Sequence, residues 1–282
     1  MIAVTGANGQ LGRLVLQALA DKGATDIRAL VRSPDKAQDL ASATVSVVEA
    51  DYNRPDTLAA ALKGVDRLLF ISGSEIGQRI PQHTAVIEAA KAAGVKLIAY
   101  TSILNADTST MILAQEHKAT EALLKTSGVA HVLLRNGWYL ENYAGSLGAG
   151  LQFGAIAGAS GDGKIAAASR QNYADAAAAV LLSDDNSTRT YELAGNDAFT
   201  IAELAAALSS ATGKDIPFNN MPQDAYAGVL EQAGLPKPFA EMIADCDVAA
   251  GKGALFSTSK DLEKLIGHPT LPYGDFVRAF AA

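Results

Sequence analysis

The amino-acid sequence predicts an α/β fold, with a doubly wound parallel β-sheet followed by a smaller, mostly helical C-terminal lobe. Short apolar runs without polar alternation are typical of strands that are buried on both faces of a sheet. Such runs occur at residues 2–4, 27–31, 45–48, 68–71, 97–100 and 132–134. Helical patterns fill the gaps between them, and three glycines follow the first run. Strands that alternate with helices in this way indicate a parallel sheet with helices on both faces.

The helices of the first half are predicted from their ends. Ser33 followed by Pro34 is typical of a helix start, and Pro55 starts another helix. The pattern at residues 86–93 ends at Gly94, which is typical of a helix C-terminus. Each of these segments lies between two predicted strands, where a parallel sheet requires a crossover connection.

The pattern changes after about residue 139. A glycine- and alanine-rich stretch comes first, followed by a predicted helix at 175–182 and a predicted strand at 190–194. Thr200 and Glu203 form a capping-box pattern, and the rest of the chain is predicted as helices interrupted by prolines. We therefore expect a sheet domain at 1–138 and a smaller lobe at 139–282, with segments at about 165–195 returning to the sheet domain.

Composition excludes several classes of function. The chain has 282 residues, 49% of them apolar, and the 23 basic and 30 acidic residues give a net charge of −7. An acidic protein offers no broad basic face for nucleic acid or for an anionic membrane. The sequence opens directly into the first strand, without a charged and apolar leader, and contains no apolar run that would span a bilayer. We expect a cytoplasmic protein without a nucleic-acid or membrane partner.

Cysteine and histidine usage gives no sign of a disulfide or a metal site. Cys246 is the single cysteine, and its neighbours Asp245 and Asp247 would raise the pKa of its thiol. We expect it to be buried and unreactive. The four histidines are scattered through the sequence without metal-ligand spacing, so no metal is expected.

The stretch from Gly6 to Gly12 predicts a dinucleotide-binding turn. Gly6 lets the chain leave a strand in a tight turn, Gly9 leaves room for a pyrophosphate against the backbone, and Gly12 lets the next helix pack closely. The unpaired N–H groups at the start of that helix favour a phosphate. The context supports the motif, because an apolar run precedes it and an amphipathic helix follows it. Residues 1–138 are thus predicted to form a Rossmann-type domain.

Arg32 favours NADP over NAD. In sheets of this type an acidic residue about 20 positions after the glycines binds the ribose of NAD, whereas an arginine accommodates the 2′-phosphate of NADP. Arg32 ends the second strand, no carboxylate stands there, and Lys36 follows closely. The alternative is a solvated arginine at a strand end, and Asp35 is the residue that argues for NAD.

The ends of the other predicted strands should line the same crevice. Asp51 and Tyr52 would flank the adenine, the loop Ser72–Ser74 would bring backbone and hydroxyl groups to the ribose and pyrophosphate, and the segment 136–139 would lie toward the nicotinamide. A Ser-Gly-Ser sequence is also compatible with an ordinary turn.

With these features, the chain resembles the NmrA-like group of atypical short-chain dehydrogenase/reductases. Further stretches carry the resemblance along the whole length, among them 77–83, 99–102, 161–166 and 264–269. The sequence is most similar to the bacterial NADPH-dependent quinone reductases of this group, with the triphenylmethane-dye reductases second. The resemblance implies an NADP(H) cofactor held by residues that are all present here: Gly6, Ala7, Asn8, Gly9, Gln10, Leu11, Arg32, Ser72, Gly73, Ser74, Asn136, Gly137, Trp138, Tyr139, Leu140, Glu141 and Tyr173. Tyr52 is expected to join them from its place after the third strand.

The chain lacks the Tyr-x-x-x-Lys pair that most short-chain dehydrogenases use to donate a proton. His117 and Glu121 occupy the corresponding positions, four residues apart on one predicted helix. We expect His117 as the candidate catalytic proton donor, with Glu121 orienting its ring. The alternative is that the two residues form a helix-surface ion pair, or that the histidine only shapes a pocket.

The missing pair favours a quinone or a similar planar electrophile as hydride acceptor. Hydride addition to a quinone yields a delocalised anion whose conjugate acid has a pKa of roughly 10, so that water can complete the protonation. Trp138, Tyr139 and Tyr143 are the candidate aromatic wall for such a substrate, although they would serve equally well as core. The alternative functions are a redox sensor that binds NADP(H) without turnover, and a dye or carbonyl reductase.

Overall fold

The computed structural model describes residues 1–75 and 77–282 and confirms the predicted α/β class. Its strands and helices, in chain order, are β1 (Ile2–Val4), α1 (Gln10–Asp21), β2 (Ile27–Val31), β3 (Val45–Glu49), α2 (Pro55–Ala61), β4 (Arg67–Phe70), α3 (Arg79–Ala92), β5 (Leu97–Ile103), α4 (Ile112–Ser127), β6 (His131–Asn136), α5 (Ala144–Phe153), β7 (Ile156–Gly158), α6 (Arg170–Leu182), β8 (Arg189–Leu193), α7 (Ile201–Thr212), β9 (Phe218–Asn220), α8 (Gln223–Gln232), α9 (Lys237–Gly251), α10 (Asp261–Ile266) and α11 (Tyr273–Ala281).

The main sheet has seven strands among the described residues, in the order β3-β2-β1-β4-β5-β6-β8. The neighbouring pairs from β3 to β6 are all parallel. In β1, Ile2 stands opposite Ile27 of β2 on one side and Arg67 of β4 on the other. The strand order therefore reverses next to β1, and open parallel sheets bind ligands at the carboxyl ends of the strands at such a point.

The sheet is covered by apolar side chains, as its continuous apolar strands require. All seven residues of β5 and all six of β6 are buried. Tyr100 and Phe70 are fully buried, and their ring centroids are 5.2 Å apart. Burying aromatic side chains of this size contributes several kcal/mol to folding. The sheet is therefore a rigid support for the loops that follow its strands.

Contacts divide the chain into two compact units. The first comprises Met1–Ile103, Glu116–Asn136 and Arg170–Tyr191 and contains most of the main sheet. The second comprises Leu104–Gln115, Gly137–Ser169 and Glu192–Ala282. The segment Leu104–Gln115 belongs to the second unit, whereas the sequence prediction left it in the first. The proposed role of the second unit in substrate binding stays a prediction.

The second unit contains several helices and one element that the sequence prediction missed. Strands β7 and β9 form a two-stranded parallel sheet, in which Ile156 pairs with Phe218. Three-residue strands are too short to show a periodic pattern. The capping box of α7 is present, because Thr200 Oγ1 accepts from the Glu203 amide at 3.1 Å and the Glu203 carboxylate accepts from the Thr200 amide at 2.7 Å.

The helix expected after Ser33 and Pro34 is reduced to a single 3₁₀ turn, Pro34–Lys36. The Ser33 side chain makes no capping hydrogen bond, and Ala37 leaves the helical region at φ −136°. A turn that lacks a capping hydrogen bond and an amphipathic face makes too few stabilising interactions to extend into a longer helix.

In the part of the chain that the structure describes, we find no helix long and apolar enough to cross a membrane.

Candidate cofactor site at the carboxyl ends of the sheet

The glycine turn after β1 has the geometry that its sequence predicts. Gly6 has φ +58°, and the Gly9 amide donates to the Gly6 carbonyl at 2.9 Å. A Cβ on Gly12 would clash with the Gly6 carbonyl oxygen and with the backbone of Ala7. Gly9 caps α1 without a side-chain acceptor, so the first amides of this helix and the positive end of its dipole are available to an anion.

A cavity of about 540 Å³ lies beside this turn, within the first unit. Residues from the carboxyl ends of β1, β2, β3 and β4 and their loops line it, together with Gln82 of α3: Gly6, Asn8, Gly9, Leu30, Val31, Arg32, Ser33, Lys36, Ala50, Asp51, Tyr52, Asn53, Ile71, Ser72, Gly73, Ser74 and Glu75. The cavity thus brings together Gly6, Asn8 and Gly9 of the glycine turn with Arg32, Tyr52 and the loop Ser72–Ser74, whereas the predicted Gln10 does not line it. Ala7 and Leu11 are buried and do not line the cavity, and the Ala7 amide donates to the Leu30 carbonyl at 3.2 Å.

The backbone after β4 is held by side chains from three separate elements. The Ile71 amide donates to Thr5 Oγ1, the Ser72 amide to Thr101 Oγ1 and the Gly73 amide to His83 Nε2, each at 2.9 Å. These three N–H groups therefore already have acceptors within the protein. Of the backbone and hydroxyl groups that we expect this loop to offer, the amides of Ser72 and Gly73 are already bonded, and contact of the loop with a cofactor stays a prediction.

His83 and Arg79 clamp Gly73 from α3. Arg79 Nε donates to the Gly73 carbonyl at 2.9 Å, and Arg79 Nη1 binds Glu116 at 2.8 Å. Because His83 Nε2 accepts the Gly73 amide, its Nδ1 carries the proton of the neutral ring and donates to Thr120 Oγ1 at 2.8 Å. Burial, followed by the nearby Arg79 charge, lowers the pKa of His83 to about 3. His83 is thus a neutral residue that positions the Gly73 backbone, a role that no sequence pattern indicated.

Tyr52 lines the cavity with its ring, and its hydroxyl group is already engaged. The hydroxyl oxygen lies 2.6 Å from Thr5 Oγ1 and 2.8 Å from the Ile71 carbonyl oxygen. The ring also makes an edge contact with Phe70. Burial raises the pKa of the Tyr52 phenol. The Tyr52 hydroxyl therefore links the residues that follow β1 and β4, while its ring stays available to a flat ligand in the cavity.

Arg32 is paired with a residue that the sequence prediction overlooked. Arg32 Nη1 donates to Glu75 Oε1 at 2.8 Å, and Gln82 Nε2 donates to the other carboxylate oxygen at 2.7 Å. The Arg32 side chain is 70% exposed, whereas Gln82 is 4% exposed. The guanidinium of Arg32 at the mouth of the cavity is therefore already paired with the Glu75 carboxylate. Glu75 was hidden from sequence reasoning because 43 residues separate it from Arg32.

The structure places the remaining predicted residues after β6 and on α6. Asn136 ends β6 and is buried, and the Gly137 amide donates to the Leu193 carbonyl at 2.9 Å. Tyr173 lies on α6 and is 1% exposed. The roles of these residues in cofactor binding stay predictions.

The predicted aromatic wall lies in the second unit. Tyr139 forms a parallel bridge with Ala168, and the Leu140 amide donates to the Ala168 carbonyl at 3.0 Å. Glu141 follows in a short 3₁₀ turn with Leu140. Tyr143 is 7% exposed and its ring packs edge-on against Phe199, a geometry typical of a core residue. Trp138 and Tyr139 are half-buried and keep exposed surface.

The pairing expected between His117 and Glu121 is wrong. Glu121 accepts two hydrogen bonds from the buried Arg135, at 2.9 and 2.8 Å, and one from Ser102 Oγ at 2.7 Å. His117 is 5% exposed, and its Nδ1 lies 2.8 Å from the Tyr100 hydroxyl oxygen. Arginine binds a carboxylate through two parallel bonds, which a histidine cannot match.

His117 is a neutral histidine in this environment. Burial lowers its pKa well below the ordinary value, and the charge of Arg79 and the neighbouring His83 lower it further. A histidine that stays neutral at neutral pH lacks the acidic second proton of the imidazolium ion and is a poor general acid. The catalytic role of His117 stays a prediction, and this geometry disfavours it.

Comparison with known proteins identifies the family of the chain. Residues 6–184 match the model of the NAD(P)H-binding family, and the chain belongs to that family. It is 52% identical over 278 residues to Quinone oxidoreductase 2 of Escherichia coli strain K12, covering 98% of this chain and 97% of that protein. The match therefore extends far beyond the glycine motif and includes the second unit.

Two solved structures share the whole fold. The NADPH-dependent quinone oxidoreductase of Escherichia coli in complex with NADPH superposes with a TM-score of 0.97 and is 50% identical, covering both chains completely. The triphenylmethane reductase of Citrobacter sp. in complex with NADP(H) superposes with a TM-score of 0.94 and is 40% identical, again over both full chains.

Proposed function

We propose that this protein is an NADPH-dependent oxidoreductase that transfers hydride to quinones or similar planar electrophiles. The observation that carries the proposal is the cavity at the reversal of strand order, where the uncapped α1 terminus and two cations, Arg32 and Lys36, line one crevice. The relatives support it, because a quinone oxidoreductase and an NADP(H)-complexed dye reductase match the full chain.

The residues of the cavity fit NADPH. The first amides of α1 would bind the pyrophosphate, because Gly9 leaves them without a side-chain acceptor. Arg32 offers the planar fork that binds a phosphate through two bonds, and Lys36 adds a second positive charge. Tyr52 offers a flat apolar surface to the adenine. When bound, the reduced nicotinamide supplies a hydride and its electron pair.

The protein's own contribution to the reaction is to bind, orient and exclude water. The buried side chains that replace the usual Tyr-x-x-x-Lys pair, His117 and Glu121, are neutral or tied to Arg135, so neither is set up to deliver a proton. A quinone does not require one in the transition state, since its product anion is delocalised and water protonates it afterwards. Holding a flat acceptor at van der Waals distance from the nicotinamide is then the main requirement.

Trp138 and Tyr139 are the residues that we propose for the acceptor. Both keep exposed surface and stand on the segment that follows β6. Aromatic faces stack on quinones and on planar dyes alike, so a dye that accepts hydride is the second candidate substrate. The 40% identity to a triphenylmethane reductase favours that second candidate. We further propose that the enzyme works in the cytoplasm, where reduced nicotinamide cofactor is regenerated.

Steady-state consumption of NADPH and of NADH, each with and without a simple para-quinone in oxygen-depleted buffer, tests the proposal. We expect quinone-dependent consumption with a strong preference for NADPH. Arg32→Ala should weaken NADPH binding about 10- to 150-fold, since hydrogen bonds to charged groups contribute about 1.5–3 kcal/mol, and should leave NADH binding nearly unchanged. Arg54→Ala is the matched control, because Arg54 is a half-exposed arginine that does not line the cavity.

Each contrary result has a defined meaning. If Arg32→Ala lowered the affinities for NADPH and NADH equally, the result would contradict a phosphate-binding role of Arg32. Tight NADPH binding without turnover on several quinones and dyes would overturn the reductase and favour a sensor that binds the dinucleotide without consuming it.

A further inference from the structure

Glu75 places a negative charge where the proposed cofactor would bring another one. Its carboxylate binds Arg32 at 2.8 Å through Oε1 and Gln82 at 2.7 Å through Oε2. All three residues line the cavity. The 2′-phosphate of NADPH is a monoester that carries close to two negative charges at neutral pH. A phosphate and a carboxylate each offer two oxygens that accept paired hydrogen bonds from a guanidinium, so they compete for Arg32.

Glu75 is held in place more firmly than an ordinary surface carboxylate. Gln82 is 4% exposed and lies on α3, one residue before His83, which clamps Gly73. Gln82 Nε2 also lies 3.3 Å from Asn53 Oδ1, so its amide is oriented from two sides. The carboxylate is therefore fixed by a buried donor on one oxygen and faces Arg32 with the other.

We infer that Glu75 is a specificity-determining residue. Its carboxylate binds Arg32 where the 2′-phosphate of NADPH would bind, and it thereby reduces the preference of the site for NADPH over NADH. The inference rests on the proposed function, since it takes NADPH as the ligand. Binding of NADPH must displace Glu75 from Arg32 or bring two anions together. NADH has a neutral 2′-hydroxyl group at this position, which a carboxylate accepts without repulsion.

Isothermal titration of the ligand-free protein with NADPH, NADH and adenosine 2′,5′-bisphosphate tests this inference without any turnover. Glu75→Gln keeps the shape of the side chain and one carbonyl acceptor but removes the charge. We expect it to tighten NADPH and the bisphosphate about tenfold, from the lost competition for an exposed ion pair together with the lost repulsion. We expect NADH to change less than twofold.

Glu49→Gln is the matched control. Glu49 pairs with Arg54 at 2.6 Å, its side chain is 41% exposed against 43% for Glu75, and it does not line the cavity. This variant should leave the affinities for all three ligands unchanged. In an Arg32→Gln background, Glu75→Gln should tighten NADPH less than it does in the wild-type background, because the contested cation is gone and only the charge repulsion is relieved.

The outcomes separate this inference from the proposed function. Glu75→Gln that leaves NADPH affinity unchanged, or tightens NADPH and NADH equally, overturns the role of Glu75 even if the protein reduces quinones. Tighter NADPH binding in Glu75→Gln without quinone turnover supports the role of Glu75 and overturns the reductase. Unchanged NADPH affinity in Arg32→Gln overturns the phosphate-binding role of Arg32 and, with it, the role of Glu75, while quinone turnover tests the reductase separately.

Discussion

Replacing His83 with glutamine should flatten the dependence of stability on pH. The folded protein lowers the pKa of His83 to about 3, from 6.5 in an exposed histidine, because the ring is buried and faces the Arg79 charge. The rings of Phe70, Tyr52 and Tyr100 surround it and offer no countercharge. The unfolded chain therefore binds a proton at this residue at a pH where the folded protein does not.

The direction and size of the effect follow from this difference. A histidine whose pKa is lower in the folded state gives its full contribution above pH 6.5 and loses it as the pH falls toward 3. Between pH 7.5 and pH 5.0, proton uptake by the unfolded chain at this single residue lowers the free energy of unfolding by about 2 kcal/mol. Glutamine does not titrate, and its carbonyl oxygen is able to accept the Gly73 amide in place of Nε2.

Urea unfolding of the ligand-free protein at pH 7.5 and pH 5.0 measures the effect. His83→Gln should lower stability at pH 7.5 by about 1–2 kcal/mol, through the lost bond to Thr120 and imperfect packing, and should lose less stability than wild type on acidification. Some acid sensitivity will remain, because the pKa of the buried His117 is also lowered. His268→Gln is the control, since His268 is exposed, and should keep the wild-type pH dependence. An unchanged pH dependence in His83→Gln would refute the reasoning.

Two further predictions concern a glycine and the cysteine. Gly12→Ala should lower the free energy of unfolding by about 3 kcal/mol and weaken NADPH binding, because the added Cβ would clash with the Gly6 carbonyl oxygen. A Cβ on Gly145 in α5 would meet nothing within 4 Å, so Gly145→Ala should raise the free energy of unfolding by about 0.5–1 kcal/mol. Thermal unfolding and titration with NADPH distinguish the two variants, and equal losses would contradict the clash. Cys246 is 2% exposed and burial, with Asp245 and Asp247, raises its pKa to about 12. It should therefore resist thiol reagents at pH 8 until urea unfolds the chain, and rapid modification of the folded protein would contradict this.

The sequence predicted the elements that depend on local patterns. The continuous apolar runs identified the strands β1 to β6, and the structure extends β5 to Ile103 and β6 to Asn136. The glycine turn and Arg32 were likewise visible, because each follows a strand at a characteristic position. These features share one property, which is that neighbouring residues in the sequence determine them.

The features that the sequence could not reveal depend on partners from distant segments. Glu121 pairs with Arg135 rather than with His117, and the choice depends on how β6 lies beside α4. Glu75 reaches Arg32 only because β2 and β4 end at the same edge of the sheet. Helical spacing and strand patterns carry no information about such contacts, so neither residue was assigned its observed partner.

The three hydrogen bonds donated by the backbone amides after β4 affect any attempt to transplant this loop. Its amides are accepted by Thr5, Thr101 and His83, which lie on three segments far apart in the sequence. A graft that moved only residues 71–74 into another scaffold would leave three partly buried donors without acceptors, at a cost of up to about 1–3 kcal/mol for each. An engineer who wishes to change cofactor choice therefore has freedom at Ser74 and Glu75, while the three distant acceptors must travel with the loop.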